Sequence, residues 1–359
     1  MARMLYREDI DEVRRRLTTW WEGGDIGRPA MPIHCPRPTP LETIPPMPQP
    51  PGWETGYSTK DFAYRVYLSK TGPGGAMYFG EAVPAVAPDL APNCLALYLG
   101  CQGVEMPGTV WCKPFIEKPV KQHFKADPRN FYWDFSWRLG QEQVRLAKGK
   151  FFVAFPDLIE GLDTLAAMRD SEPLLLDLCD RPEWVHDCLD QITELYFYYY
   201  DRLYDLFKDE TGGSVFWAWA PGRMSKLQCD FSAMISPDMF GEFMVPVLRR
   251  MTARLDHCMY HWDGPGAIPH HDHLLSLPDL DMLQWTPGAG EVNTDDPKWW
   301  PLYHKTIEAG KKIYAGASSL DSLRRLKREF GPKLKQFLLP MWVKTPAEAE
   351  EALRIAQTD

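Results

Sequence analysis

Residues 258–266 read Cys258-Met259-Tyr260-His261-Trp262-Asp263-Gly264-Pro265-Gly266, an aromatic strand-like run that ends in a glycine and proline turn. Side chains two positions apart on a strand point to the same side, so we expect His261 and Asp263 to converge on one point. An imidazole and a carboxylate can act as metal ligands or as acid and base groups. This segment therefore predicts a chemical site at the end of a strand.

Strand-like and helix-like segments alternate along the chain. Eight candidate strands begin near Ala30, Ala82, Phe151, Ser214, Cys258, Met282, Lys312 and Gln336. Helical patterns follow most of them, including residues 131–148, 183–209, 237–255 and 346–356. Eight βα units favour the α/β class and a closed (β/α)8 TIM barrel. An open doubly wound sheet is the rival fold, but no glycine-rich phosphate turn follows the first strand.

We expect one barrel domain over residues 1–359, with a helical and proline-rich extension near its N-terminus. Within residues 1–29 an amphipathic helix is predicted, since Val13, Leu17 and Trp20 recur at helical spacing. A proline-rich excursion, placed at residues 36–80, follows the first strand. Prolines are densest over residues 36–51, which argues against regular structure there.

Composition excludes several classes of function. The chain has 359 residues with 40 basic and 49 acidic side chains, a net charge of −9, and no Lys/Arg run longer than Arg14-Arg15-Arg16, so nucleic-acid binding is not expected. Neither a bilayer-spanning apolar run nor a signal-peptide core is found, which predicts a cytoplasmic protein away from membranes. The eight cysteines form no C-x-x-C pair and are expected to be reduced.

A barrel gathers the carboxyl ends of its strands at one face, the mouth. Four side chains are predicted to be catalytic: His261, Asp263, Asp157 and Asp230. Of these, His261 and Asp263 are also predicted to be metal ligands. Six are predicted to bind substrate: Trp219, Trp262, Trp285, Trp342, His34 and Glu81. Indoles at strand ends, with Trp217 among them, can form a stacking wall for a planar or sugar-like small molecule.

Each of these residues also has a purely structural interpretation. His261 can be a core histidine, and Asp263 can cap the Gly-Pro-Gly turn. Asp157 and Asp230 can cap helices, and the tryptophans can simply fill the core. The run from His270 to His273 is interpreted as a solvated helix start rather than a metal site.

The residues after the fourth predicted strand match a longer signature. They are Asp230-Phe231-Ser232-Ala233-Met234-Ile235-Ser236-Pro237-Asp238-Met239-Phe240, with Phe243 and Pro246 beyond. This segment resembles the D-x-S-x-x-x-S-P-x-x-F-x-x-F-x-x-P signature of the uroporphyrinogen decarboxylase superfamily. Similar segments run from Phe155-Pro156-Asp157 to Pro182-Glu183-Trp184-Val185 and through Thr345-Pro346-Ala347-Glu348. The resemblance extends from about residue 151 onward and implies a (β/α)8 barrel and a homodimer.

Two branches of that superfamily differ in chemistry. Porphyrinogen decarboxylases carry an R-Q-A-G-R motif, whereas this chain has only Arg28 and Arg37 around its first strand. It is therefore not expected to be a true uroporphyrinogen decarboxylase. Zinc-dependent methyltransferases of corrinoid systems share an H-x-C-G motif, and here His261-Trp262-Asp263-Gly264 keeps the histidine and replaces the cysteine. The later cysteine of that branch corresponds to Met341 or Trp342.

A site of histidine and aspartate is harder than a thiolate site and suits an oxygen better than a sulfur. The resemblance thus implies a methyltransferase or demethylase that uses a divalent metal, zinc above all, on a methoxylated small molecule. A corrinoid protein would accept the methyl group, and Asp157 or Asp230 would supply a proton. Remaining ligands would come from Asp157, Asp230, Glu81, His34 or water.

Two other functions stay open. In the first, His261 and the mouth carboxylates act without metal, as a hydrolase or lyase on a glycoside or carboxylate. In the second, the chain binds a ligand and has lost catalysis.

Overall fold

The computed structural model describes residues 3–357, which form a mixed α/β protein with parallel sheets. The strands are β1 (Pro32–Pro36), β2 (Ala76–Gly80), β3 (Ala85–Val86), β4 (Gln102–Met106), β5 (Thr109–Lys113), β6 (Phe152–Val153), β7 (Ser214–Phe216), β8 (Ala218–Ala220), β9 (Met224–Gln228), β10 (His257–Asp263), β11 (Met282–Thr286), β12 (Lys312–Tyr314), β13 (Phe337–Leu338) and β14 (Met341–Trp342). The α-helices are α1 (Ile10–Trp21), α2 (Phe62–Thr71), α3 (Cys94–Tyr98), α4 (Phe131–Ala147), α5 (Gly161–Arg169), α6 (Ser171–Asp180), α7 (Pro182–Phe207), α8 (Pro237–Phe243), α9 (Val245–Thr252), α10 (His271–Leu275), α11 (Trp300–Glu308), α12 (Leu320–Phe330) and α13 (Pro346–Ala356).

The largest sheet has five strands in the order β13-β12-β11-β10-β9, and every neighbouring pair in it is parallel. In the register of this sheet, His261 lies opposite Gln228 on one side and Gln284 on the other. Because the strands are parallel, their carboxyl ends meet at one edge. That edge positions the site described below.

A second sheet contains both ends of the chain. Strand β1 pairs in parallel with β14 and antiparallel with β2. The antiparallel register sets Pro32 against Gly80, so the end of β2 lies beside the start of β1. Separately, β3 pairs in parallel with β6, while β4 with β5 and β7 with β8 form antiparallel hairpins.

Backbone hydrogen bonds also join one sheet to the next. Ala30 bridges in parallel to Leu338 at β13. The Glu81 N–H donates to the Met31 carbonyl over 2.9 Å, next to β1. The Phe155 N–H donates to the Val215 carbonyl over 3.0 Å and so links the end of β6 to β7.

The N-terminal helix is confirmed as amphipathic, with Val13, Leu17, Trp20 and Trp21 buried. Two indoles fix its position, because Trp20 Nε1 donates to the Lys335 carbonyl (2.8 Å) and Trp21 Nε1 to the Trp219 carbonyl (3.0 Å). The helix therefore packs on β8 and on the segment before β13.

Most predicted helices are confirmed, but the predicted helix over residues 237–255 is two helices, α8 and α9. A proline at position 246, at the start of α9, has no N–H to continue the first helix. In the excursion placed at residues 36–80, residues 37–61 contain neither helix nor strand, whereas α2 and β2 follow. Within residues 3–357, no helix is both long and apolar enough to cross a membrane.

Candidate metal centre

Asp230, His261 and Asp263 form a cluster that can hold a metal ion. Each offers one ligand atom, and these atoms lie within 4.8 Å of one another. His261 and Asp263 come from β10, and Asp230 opens a short 3-10 turn just after the neighbouring strand β9. The predicted convergence of His261 and Asp263 is confirmed, and Asp230 joins them as a third candidate ligand.

The orientation of His261 is fixed by Gln284, directly opposite on β11. The Gln284 side-chain amide donates to Thr286 Oγ1 over 2.8 Å, which turns its Oε1 toward His261 Nδ1. Since a carbonyl oxygen only accepts, Nδ1 must carry the proton. The lone pair then lies on Nε2, which is the nitrogen left to bind a metal.

Burial lowers the pKa of His261, and the nearby Lys226 ammonium lowers it further. The Gln284 hydrogen bond and the Asp263 carboxylate oppose this shift in pKa without reversing it. The neutral imidazole is therefore the stable form, and this is the form that binds metal ions.

Asp263 has an unsatisfied acceptor. Its Oδ1 is buried, and no hydrogen-bond donor among residues 3–357 reaches it. A buried carboxylate oxygen without a partner costs free energy that a bound cation would recover. The cluster of one nitrogen and two carboxylates, with an unpartnered oxygen among them, fits a divalent metal ion.

Asp230 does not cap the turn that it begins. Instead Asp163 accepts the N–H groups of Asp230 and Phe231, both over 2.8 Å. The Asp230 carboxylate accepts from Gln228 Nε2 over 3.1 Å, so its other lone pairs stay open. This arrangement argues against the structural interpretation of Asp230 as a helix cap.

The Asp230 residue is open to solvent, yet protein atoms crowd its carboxyl group. This desolvation, followed by the charges of Asp163 and Asp263, raises the pKa of Asp230 to about 7. Carboxylates placed this close repel one another unless a cation or a proton lies among them.

Lys226 is a buried cation that the sequence analysis missed. It lies on β9, on the same side of the sheet as His261, with its Nζ 2.7 Å from Asp157 Oδ1 and bonded to the Gln228 side chain. Asp157 is thus held beside the cluster but outside it. In turn, the Asp157 N–H donates to Asp89 Oδ1 over 3.2 Å.

His34 in the middle of β1 lies opposite Trp342 at the end of β14. Their rings are stacked at 4.7 Å and 21°, and the Trp342 side chain is 72% exposed. Trp342 lines a cavity of about 570 Å³ that Asp263 also lines. His34 therefore supports the indole from behind, and Trp342 is the residue that faces the cavity.

Trp262 and Trp285 do not lie at the mouth, contrary to the prediction. Both are buried, with ring centroids 4.8 Å apart, and Trp262 Nε1 donates to the Ala267 carbonyl over 2.8 Å. The reason is strand alternation, since Trp262 must point away from the side that His261 and Asp263 share. These two indoles fill the core behind the sheet.

The prediction that Trp219 binds substrate is also wrong. Trp219 lies on β8, is buried, and donates through Nε1 to Asp209 Oδ2 over 2.8 Å. Asp209 is paired in turn with Arg14 of α1 at 3.0 Å. The β7–β8 hairpin reverses the chain here, so Trp219 faces α1, while Trp217 at the hairpin tip lies against His261.

Glu81 is likewise absent from the mouth. Its carboxylate is bound by Arg28 (2.6 and 2.7 Å), by Arg16 (2.8 Å) and by the Met31 N–H (2.7 Å). Because β2 runs antiparallel to β1, its final residue lies beside the start of β1, away from the carboxyl end of that strand. Glu81 therefore joins structural segments and cannot be a further metal ligand.

The interpretation of His270 and His271 as a solvated helix start is wrong. Both are buried, and their Nε2 atoms bond to the Ser232 carbonyl (2.8 Å) and to Thr306 Oγ1 (2.9 Å). They connect α10 to its neighbours.

Two large cavities are each lined by one residue of the candidate ligand cluster. One is the 570 Å³ cavity next to Asp263. The other has a volume of about 620 Å³ and is lined by Asp230, Asp163, Gln228, Trp111 and Met234. Both volumes fall in the range of small-molecule sites.

No family model matches this chain, and a comparison with curated proteins found no match. The assignment of function therefore depends on the geometry of the site.

Proposed function

We propose that this protein is a metal-dependent enzyme that transfers a methyl group from a methoxylated small molecule. The proposal depends above all on one observation, the buried and unpartnered Oδ1 of Asp263 in a cluster whose candidate ligand atoms lie within 4.8 Å of one another. Asp230 completes a set of three protein ligands, and catalytic metal sites keep further positions open for substrate.

The proposal includes a closed (β/α)8 barrel of the uroporphyrinogen decarboxylase type. Support comes from the parallel bridge between Ala30 and Leu338 at β13, and from the hydrogen bond between Phe155 and Val215 that links β6 to β7. Parallel strands linked in this order around a ring would place Asp230, His261 and Asp263 at one mouth.

The ligand set favours an oxygen substrate. One imidazole and two carboxylates are hard donors, and a divalent metal that they hold, zinc in our proposal, would polarise an ether oxygen. Gln284 keeps His261 in the required tautomer, and Asp230 is occupied as a ligand. Asp157, in an ion pair with Lys226 at 2.7 Å, is then the group that would pass a proton from the Lys226 ammonium to the departing oxygen.

The two cavities favour transfer over hydrolysis. A hydrolase needs room for one substrate and a water, whereas a transferase must bring two reactants to one centre. Here Asp263 lines one cavity and Asp230 the other. The exposed Trp111 and Met234 at the second cavity give it an apolar rim suited to the cofactor of a corrinoid protein, the proposed acceptor.

Metal analysis of the purified protein tests the proposal. We expect about one zinc per chain, and about a hundredfold loss of zinc affinity in His261→Ala and in Asp263→Ala. Asp272→Asn is the control, because Asp272 is an exposed acidic residue that pairs with Lys305. A methyl transfer assay from 2-methoxyphenol to free cob(I)alamin then tests the reaction. Wild-type protein that binds no zinc, or that releases sugar from glycosides without metal, would overturn the proposal.

A further inference from the structure

Trp217 has an unusual backbone for a large residue. It forms the tip of the β7–β8 hairpin, between Phe216 and Ala218, which pair directly with each other. Its φ is 55°, in the left-handed region that glycine adopts freely and bulky residues avoid. Strained residues of this kind are retained where function requires the side chain.

The indole of Trp217 is also exposed. Although Phe216 and Ala218 on either side are buried, 47% of Trp217 is open to solvent. The residue therefore combines a strained backbone with an apolar surface that packing leaves half uncovered. Stability alone does not account for a tryptophan here.

The ring lies at the site itself. Its centroid is 5.8 Å from that of His261, with the planes at 79°, and 6.1 Å from that of Tyr314. Lys226 Nζ is 5.8 Å from the same ring. Trp217 also lines a cavity of about 290 Å³ together with Tyr57, Asp89 and Asp157. One wall of the space next to His261 is thus an indole.

We propose that Trp217 is a specificity-determining residue whose exposed face packs against a flat ring of the substrate. Aromatic rings pack favourably on an indole, and such contact would hold the reacting oxygen at the metal ligands. This inference rests on the proposed function and narrows its substrate to a methoxylated ring compound, as opposed to an aliphatic ether.

Three variants of the full-length chain supplied with zinc test the role. Trp217→Gly relieves the backbone strain and removes the indole, whereas Trp217→Phe keeps an aromatic ring. Trp111→Gly is the comparison, because it removes a 66% exposed indole from β5, where the backbone is an ordinary strand. We expect the unfolding temperature of Trp217→Gly to equal or exceed that of wild type. That of Trp111→Gly should fall, because glycine weakens a strand.

Binding of 2-methoxyphenol, measured by calorimetry, is the second readout. We expect about tenfold weaker binding in Trp217→Gly, near wild-type binding in Trp217→Phe, and unchanged zinc affinity in both. A fall in the unfolding temperature of Trp217→Gly as large as that of Trp111→Gly, equal 2-methoxyphenol affinity in all variants, or no binding by wild type would overturn the inference. Methyl transfer from the aliphatic ether 1,2-dimethoxyethane that is unaffected by Trp217→Gly would then leave the proposed function standing. Trp217-dependent binding without any methyl transfer would instead refute the proposed function alone.

Discussion

Glu81 connects three segments near the N-terminus through one buried carboxylate. Glu81→Gln keeps the shape but removes the charge that Arg28 and Arg16 face. Because Arg28 is buried, we expect a loss of about 3–5 kcal/mol in the free energy of unfolding, measured by urea denaturation. The control is Glu142→Gln, in a surface ion pair with Arg145 on α4, which should leave the urea midpoint almost unchanged. A small effect in both variants would contradict the assigned role of Glu81.

Asp89 gives the protein a pH-dependent stability. Burial, and then the Asp157 carboxylate, raises the pKa of Asp89 to about 6, while Arg65 and the backbone N–H of Asp157 oppose the shift. A carboxyl with a higher pKa in the folded chain stabilises the fold below its unfolded pKa, and this contribution is lost as the pH rises to about 6.

Asp89→Asn cannot ionise and should therefore lack this dependence. We expect its free energy of unfolding, relative to wild type, to rise between about pH 4 and pH 6 by up to about 3 kcal/mol and then to level off. Urea denaturation across this pH range measures the difference. If the difference in the free energy of unfolding between Asp89→Asn and wild type does not change with pH, the pKa of Asp89 is the same in the folded and the unfolded chain.

Strand β10 shows both the success and the limit of prediction from sequence. Period-two alternation predicted that His261 and Asp263 converge, and they do. The same alternation places Trp262 on the opposite side of the strand. The prediction that Trp262 binds substrate beside His261 and Asp263 was therefore inconsistent with period-two alternation. Local pattern predicts which residues share a face, and it must be applied to every residue of the strand.

Strand β9 could not be predicted from its own residues. Ser225, Lys226 and Gln228 are buried although they are polar, so the sequence has no apolar run here that would predict a buried strand. Their partners come from elsewhere in the chain: Tyr196 bonds Ser225 over 2.6 Å, Asp157 pairs with Lys226, and Asp163 accepts from Gln228. A polar strand is stable here only because distant elements satisfy it, and that information is not local.

A buried indole on β10 and an exposed indole on β14 should respond differently to mutation. Trp262→Ala leaves a cavity in the core next to α10 and should lower the free energy of unfolding by about 3–5 kcal/mol. The zinc affinity of the folded variant should be unchanged. Trp342→Ala, at an exposed indole, should change stability little. Urea denaturation and zinc titration separate the effects. Loss of zinc from a stable Trp262→Ala protein would contradict its placement behind the sheet.

Across the whole molecule, the two ends of the chain depend on each other. Strand β1 pairs with β14, and α13 packs against β1, β2 and α12. Removing residues 340–359 would leave β1 without its parallel partner and expose its apolar residues. We expect loss of the cooperative unfolding transition in circular dichroism, whereas removal of residues 357–359, beyond α13, should preserve it. If the variant that lacks residues 340–359 still unfolds cooperatively, the remaining residues fold without the pairing of β1 with β14.

The β1–β14 pairing also constrains synthesis in the cell. The first strand leaves the ribosome about 300 residues before the strand that covers its open edge, a delay of about 15–60 s at ordinary elongation rates. During this interval its backbone donors and acceptors are free to pair with any nearby chain. Nascent chains of this protein should thus depend on a chaperone until β14 is available to pair, and slow codons between the two strands would lengthen the exposure.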